Sequence, residues 1–445
     1  MTILYTPAGD TDPIRAGHDG AILHIIRKYH PRMVRIFLSK DMAAKEEKRS
    51  IYSKAIKYNA PDCEIEFIKT EITEVQLMEN LIPLADGFLE LRKEYPNEKV
   101  LLNLSSGTPQ MKSIMSFLAT DFENVIPVQV NSPKRGSNRA AYATQDDDDI
   151  DEIIKTNEDN NENREDRCHE APLSLLRRYN IRHQLISLIE NYEYSAAYAL
   201  YNKNSAMFTD VTGQLIKHAA LRAKLQTEKA FTIGKDLVDK QVSKNERINM
   251  LYEFFMVMWL RQKKGDLAEF VVKLTPFLFE LLLYYFETQT DLKPEKFCTR
   301  KNNINASWKI SRRMLADVSQ DTLLYLDNMG KGDFRDGTNL SFYNMQKILH
   351  ALNEKAPKDK LTVLLDLLDE LRLVEDNHRN GLAHTITNIT EERLTAIAPY
   401  KNSDEIMGLV SKVFMKITAK EKLNISNLYD NLNIRIITSL EEFRK

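Results

Sequence analysis

Residues 100–111 read Val-Leu-Leu-Asn-Leu-Ser-Ser-Gly-Thr-Pro-Gln-Met. A short apolar run, a turn of small polar residues and a Pro-Gln step into an apolar helical pattern make a strand–turn–helix unit. Working outward, the first 130 residues repeat that unit. Apolar runs at 2–6, 33–39, 64–68, 100–104 and 125–130 alternate with helical patterns at 20–29, 43–58, 74–95 and 110–122. Such alternation predicts right-handed crossovers and a mainly parallel, Rossmann-like sheet.

The composition changes at 145–170, where acidic residues, Asn and Arg crowd out apolar ones. This predicts a linker or solvated excursion. Beyond Pro172 the strand signals vanish, and spacing such as Leu185, Leu188, Ile189 and Tyr192 is helical. The expected fold class is therefore multidomain: an α/β N-terminal part followed by an all-α remainder. A weaker boundary falls at 263–265, and a polar stretch with Gly330, Gly332 and Gly337 reads as a surface loop. The expected domains are 1–172, 173–264 and 265–445, in keeping with a 445-residue chain.

Lys and Arg total 62 against 64 acidic residues, so no global positive field marks a nucleic-acid binder, and any such affinity must be local. Cys63, Cys168 and Cys298 lie far apart without a Cys-x-x-Cys pair. That spacing argues against a zinc site or a disulfide framework and for a reducing compartment. The N-terminus lacks a basic flank with an apolar run, and the apolar run 274–286 is too short to span a membrane and carries Glu280. The expectation is a cytoplasmic protein without a membrane partner, in which 274–286 is a buried helix.

In a doubly wound sheet, ligands bind outside the carboxyl ends of the strands. Two turns there stand out: Pro7-Ala8-Gly9-Asp10-Thr11-Asp12-Pro13 and Asn103-Leu104-Ser105-Ser106-Gly107-Thr108-Pro109-Gln110-Met111. Gly107 permits close backbone approach, and Ser105, Ser106 and Thr108 offer hydroxyls. The helix opening near Pro109 points a positive dipole end at the same place, which suits a phosphate. Neither turn is a dinucleotide fingerprint or a Walker loop, which disfavours nicotinamide and ordinary ATPase chemistry. On spacing alone, Ser-Ser-Gly-Thr-Pro reads equally well as a plain helix start.

Near the far end, the amphipathic stretch 361–372 leads into His378-Arg379-Asn380-Gly381-Leu382-Ala383-His384. Arg-x4-His also occurs at Arg164…His169 and Arg178…His183. The former is flanked by Glu162, Glu165, Asp166 and Glu170, which would repel an anionic substrate, and the latter by Arg177 and Arg182, a basic helix face. Only Arg379…His384 follows a strongly apolar helix with a small Gly-Leu-Ala insert. On a regular helix Arg379 and His384 lie about 140° apart while Asn380 and His384 share a face, so a loosening at Gly381 would let both charged groups flank one cleft. Histidine exchanges protons near neutrality, and arginine's fork holds phosphoryl oxygens. Together these suit RNA cut by its own 2′-hydroxyl. No metal is assigned. Read as isolated residues, His384 fits a core or helix-end histidine and Arg379 a solvated charge.

Residues 1–145 resemble the CARF domain (CRISPR-associated Rossmann fold), through the turns at 9–13 and 103–110. Residues 265–445 resemble a HEPN domain, through Arg379-Asn380-x-x-x-His384. The whole is similar to the CARF–HEPN accessory ribonucleases of type III CRISPR systems (the Csm-type family), with 173–264 resting on general resemblance. The resemblance implies metal-independent cleavage of single-stranded RNA to 2′,3′-cyclic phosphate ends by Arg379, Asn380 and His384. It also implies activation by a cyclic oligoadenylate made by the type III effector, with cyclic hexa-adenylate favoured, and no cofactor. The ring would lie across a homodimer on Gly9, Asp10, Thr11, Asp12, Asn103, Ser105, Ser106, Gly107, Thr108, Gln110 and Met111. Ser132 and Lys134 would join it from a third segment. Several members of the family slowly cleave the ring; no DNA partner is expected. The alternative is a ligand-regulated nucleic-acid-binding regulator without nuclease activity.

Overall fold

The computed structural model describes residues 1–133, 148–233, 237, 242–300, 307–329, 335–384, 389–397, 402–421, 423 and 428–442, with the side chains of 329, 376–384 and 397 outside that description. The chain divides into two compact units, 1–181 and 182–445.

The first unit is a six-stranded sheet. In chain order its strands are β1 Thr2–Pro7, β2 Met33–Leu38, β3 Glu64–Lys69, β4 Lys99–Asn103, β5 Val125–Val130 and β6 Cys168–Glu170, in the spatial order β3-β2-β1-β4-β5-β6. The first five are parallel and β6 pairs antiparallel with β5. β1 is central and buried on both faces, which is why it reads as an unbroken apolar run. Its alternate side chains feed two cores. Leu4 packs with Ile22, Ile25 and Tyr52 on one face, and Ile3 and Tyr5 pack with Leu84, Phe88 and Met115 on the other.

Two predicted helices are interrupted. The one expected over 43–58 divides at Ser50, which adopts a left-handed conformation between Lys40–Arg49 and Ile51–Asn59. The Glu46 carboxylate accepts from the Tyr52 N–H at 2.8 Å, capping the second helix and stabilising the break. The one expected over 74–95 becomes a 3-10 turn, Met78–Leu81, followed by Ile82–Glu94, with Pro83 fixing the new start.

The larger correction concerns 145–170. Its described part, 148–170, is not a linker but part of the first unit. Asp149 caps the helix Ile150–Lys155, whose Ile150 and Ile154 enter the core, and Cys168–Glu170 completes the sheet. Asn157, Asp159 and Arg167 are buried. Arg167 of the same segment and the Asp19 N–H from the sheet unit both donate to the Asp159 carboxylate, so a segment polar enough to look solvated packs inside.

The described residues of the second unit are helical but depart from the all-α expectation where Cys298–Thr299 and Lys309–Ile310 form a two-residue antiparallel pair and Lys309 also bridges Asn339. Gly265, with φ +74°, turns the chain between the helices Glu246–Lys263 and Leu267–Gln289. The latter contains the apolar run 274–286, buried as expected. No helix among the described residues is long and apolar enough to cross a membrane. Inside this unit Arg222 and Glu253 form a buried ion pair, with Nε donating to Oε2 at 3.0 Å.

Candidate functional sites

At the carboxyl ends of β1, β4 and β5 lies a pocket of about 310 Å³. Gly9, Asp10, Thr11, Ser105, Gly107, Thr108, Met111 and Ser132 line it, so the two turns and the third segment do converge. The two glycines explain how. A Cβ on Gly9 would stand 2.6 Å from the Gly107 amide nitrogen, and Gly107 itself has φ +75°. The turns pack backbone on backbone, which only glycine allows.

The other expected residues are placed differently. Asn103 and Ser106 are fully buried and, with Asp12, lie beneath the pocket rather than on its wall. Asn103 Nδ2 donates to Thr6 Oγ1 at 2.9 Å and to Ser106 Oγ at 2.7 Å, while its Oδ1 accepts from the Ser105 N–H at 2.8 Å. It therefore sets the shape of the turn. Asp12 joins its own loop to the next helix, accepting from the Gly9 N–H at 3.2 Å and the Ile22 N–H at 3.1 Å. Burial pushes the Asp12 carboxyl up to about 6, against the hydrogen bonds from Ser106, Ile22 and Gly9. Thr108 caps the helix Pro109–Leu118, and its hydroxyl donates to the Val75 carbonyl at 3.1 Å. Ser105 Oγ accepts from the Val130 N–H at 2.8 Å. Gln110 is half-buried but does not line the pocket, and Lys134 lies outside the described residues.

Several pocket residues had no sequence signal. Met42 and Val75 supply apolar wall, while Arg15, Lys112 and Arg167 supply positive charge. Arg15 Nη1 donates to the Asp10 carbonyl at 3.1 Å. Arg167, from the segment taken for a linker, donates to the Asn131 carbonyl at 2.9 Å, the Asp19 carbonyl at 3.2 Å and Asp159 Oδ2 at 2.8 Å. Beneath it, burial pushes the Asp19 carboxyl up, but hydrogen bonds from His24, Arg27 and Asn157 and the Arg27 charge outweigh this and hold it below the usual range. Asp19, His24 and Asp159 bring potential cation ligands within 4.8 Å of one another, yet Arg27 and Arg167 already sit on the two carboxylates. An arginine was detectable only as a buried charge in the fold, not as a motif.

In the second unit, Arg379, Asn380 and His384 all lie on the 26-residue helix Asp359–His384, their side chains outside the described residues. The helix continues through Gly381, so the expected loosening there is not found. A continuous helix leaves Arg379 and His384 about 140° apart and Asn380 on the His384 face. The competing pairs sit elsewhere. His169 is exposed on β6, where Asn131 Nδ2 lies 2.7 Å from its Nε2. Arg178 and His183 lie on the helix Ser174–Glu190.

Three family models match in succession: the Csm6 CARF domain over 62–168, the Csm6 6H domain over 171–223 and the Csm6 HEPN domain over 240–437. The CRISPR system endoribonuclease Csm6 of Mycobacterium tuberculosis is 28% identical over 442 residues, covering 99% of both chains. That of Enterococcus italicus is 29% identical over 284 residues, 61% of this chain and 64% of the relative. The structure of Enterococcus italicus Csm6 bound to cyclic hexa-2′-fluoro-hexa-dAMP superposes with a TM-score of 0.66 at 20% identity, covering 99% of this chain and 100% of the other, which shows a shared fold. Carrying all three domains in order, from a parallel-sheet CARF region through a 6H segment to a helical HEPN region, the chain belongs to the Csm6 family of CARF–HEPN ribonucleases.

Proposed function

We propose that this protein is a metal-independent endoribonuclease of type III CRISPR defence, cytoplasmic and homodimeric, that cuts single-stranded RNA when a cyclic oligoadenylate occupies its N-terminal pocket. Its domains would run 1–172, 173–264 and 265–445. The observation that carries the reading is the position of Arg379-Asn380-x-x-x-His384 within the stretch matched by the HEPN domain. His384 takes the proton of the attacking 2′-hydroxyl, the P–O5′ bond breaks and the leaving 5′-oxygen is protonated, Arg379 holds the phosphoryl oxygens, and Asn380, on the same face as His384, orients it. This chemistry needs proton transfer and charge stabilisation but no Lewis acid, and it leaves a 2′,3′-cyclic phosphate. A continuous helix that separates Arg379 from His384 supports a site completed by a second copy, with a symmetric ring on the two-fold axis.

The pocket offers what a ring of adenylates asks for. Lys112, Arg15 and the start of the helix Pro109–Leu118 face phosphates, and Met42, Val75 and Met111 form apolar wall for a base. The ligand of the Enterococcus italicus relative favours a six-membered ring. Slow cleavage of the ring would need a positioned base; Asp10 is at the rim, 3.3 Å from Lys45, and Asp12 lies underneath.

The test is cleavage of a fluorescent RNA in the presence of EDTA against rings of three to six adenylates. His384→Ala and Arg379→Ala are each expected to lower the rate about 100- to 10,000-fold while ring binding persists; His183→Ala should cut normally. Cleavage that survives His384→Ala but not His183→Ala overturns the assignment.

A further inference from the structure

A groove of about 890 Å³ opens along the same helix that carries Arg379. Its walls are Val272, Phe279 and Leu340, and its edge holds Thr275, Glu280 and Ser341. Tyr343 stands 40% exposed at the mouth, with the Arg372 guanidinium 4.7 Å and the Lys347 ammonium 4.5 Å from its ring centre. Glu375 is buried and holds this arrangement, accepting from Arg372 Nη1 at 2.6 Å and from the Thr275 hydroxyl at 2.6 Å. Pro276 sits inside the helix Leu267–Gln289 and removes the N–H that would bond the Val272 carbonyl. That carbonyl belongs to a residue lining the groove.

The placement relative to the cut is fixed by the helix. Arg372 and Arg379 are two turns apart, on one face and about 10 Å along the axis. An RNA strand held at Arg379 runs within a nucleotide or two of the groove. The chemistry at the mouth is that of base recognition: an aromatic–guanidinium platform over apolar wall, with acceptors at the edge. Both carboxylates are paired, Glu375 with Arg372 and Glu280 with Arg247 at 3.3 Å, so the Arg372 charge is directed at Glu375 rather than at a phosphate.

We propose that the groove seats a base of the substrate strand beside the scissile phosphate. The base stacks on the Tyr343–Arg372 pair, and its edge is read by the Val272 carbonyl and the Glu280 carboxylate. Acceptors at that edge favour bases that turn an exocyclic amino group towards them, adenine, cytosine or guanine, over uracil, whose single N3–H donor is flanked by two carbonyl oxygens. Glu375 is a positioning residue that holds Arg372 against the ring. This inference rests on the ribonuclease reading and names a specificity element for it.

The test is cleavage of short RNAs in which a single abasic nucleotide is walked along the strand, by the full-length protein and by Tyr343→Ala, Tyr343→Phe and His384→Ala. Tyr343→Ala is expected to raise KM roughly 5- to 100-fold, with a much smaller change in kcat, and Tyr343→Phe to restore it. One abasic position should penalise the native protein and the Phe variant but not the Ala variant, and uracil there should be the poorest base. An abasic penalty identical in native protein and Tyr343→Ala overturns the proposal. So does dissociation of a dimer by Tyr343→Ala, which would make the groove's occupant a second copy of the chain. Loss of cleavage in His384→Ala alongside a normal Tyr343→Ala sinks the groove alone. Cleavage unaffected by His384→Ala removes the ribonuclease reading and this one with it.

Discussion

In the N-terminal pocket Gly9 and Gly107 bring two backbones closer than any side chain would allow, and short polar side chains beneath them hold the turns in place. In the helical unit the groove at Arg372 is walled instead by side chains from separate segments, with Thr275, Tyr343 and Arg372 drawn from a span of 97 positions of sequence. A site made of backbone has to be written contiguously, as glycines and Asx residues at fixed offsets. A helix-face site can be scattered, because any residue at the right phase serves.

The buried ion pairs test how far each construction depends on its supports. Arg167→Met should leave Asp159 buried without its arginine, and Arg222→Met should do the same to Glu253, each costing about 3–5 kcal/mol of stability. Thermal unfolding measures both losses. Only Arg167→Met should also raise the ring concentration needed for half-maximal cleavage, because Arg167 lines the pocket. An equal shift in activator response from Arg222→Met would break the distinction.

Acid should push the two units in opposite directions. Asp12 titrates at about 6 in the fold against 3.8 when free, so the native state holds the extra proton between those values. Its contribution to stability therefore falls as pH rises from about 4 to 6, by about 3 kcal/mol. His218 is pushed down from 6.5 to about 4 by burial, outweighing its hydrogen bond to the Ala230 carbonyl. The unfolded chain takes up the proton first, so this contribution is lost as pH falls from 6.5 to 4, again by about 3 kcal/mol. Denaturant unfolding from pH 4 to 7 should show Asp12→Asn and His218→Phe removing slopes of opposite sign; slopes of the same sign refute the placement of one of the two groups.

A smaller effect separates conformation from contact. Gly107 and Gly265 have nearly the same φ, +75° and +74°, but a Cβ on Gly107 would lie 2.7 Å from the Met111 sulfur and one on Gly265 would meet nothing within 4 Å. Gly265→Ala should cost about 1–2 kcal/mol for its backbone alone. Gly107→Ala should cost more and weaken ring binding. Equal losses would mean that close packing of the turns adds nothing.

The parallel sheet was legible because each buried strand is an apolar run and each crossover a helical pattern. The turns at 9–13 and 103–111 were legible because glycine and Asx chemistry is local. The helix breaks at Ser50 and Met78–Leu81 were not, since a capping Glu46 or a starting Pro83 leaves the apolar period almost unchanged.

By itself, the sequence determined which segments alternate as strand and helix, where the chain becomes helical and which short motifs belong to CARF and HEPN domains. The first two follow from nearest-neighbour chemistry and periodicity, and the third from the resemblance to those domains. Tertiary structure alone decided that 148–170 belongs to the first unit, that Arg167 stands in the pocket while Asn103 and Asp12 support it from below, and that Tyr343 meets Arg372. The physical reason is that burial of a charge depends on partners that only folding brings to it. Asp159 reads as solvated until Arg167 and the Asp19 N–H close on it.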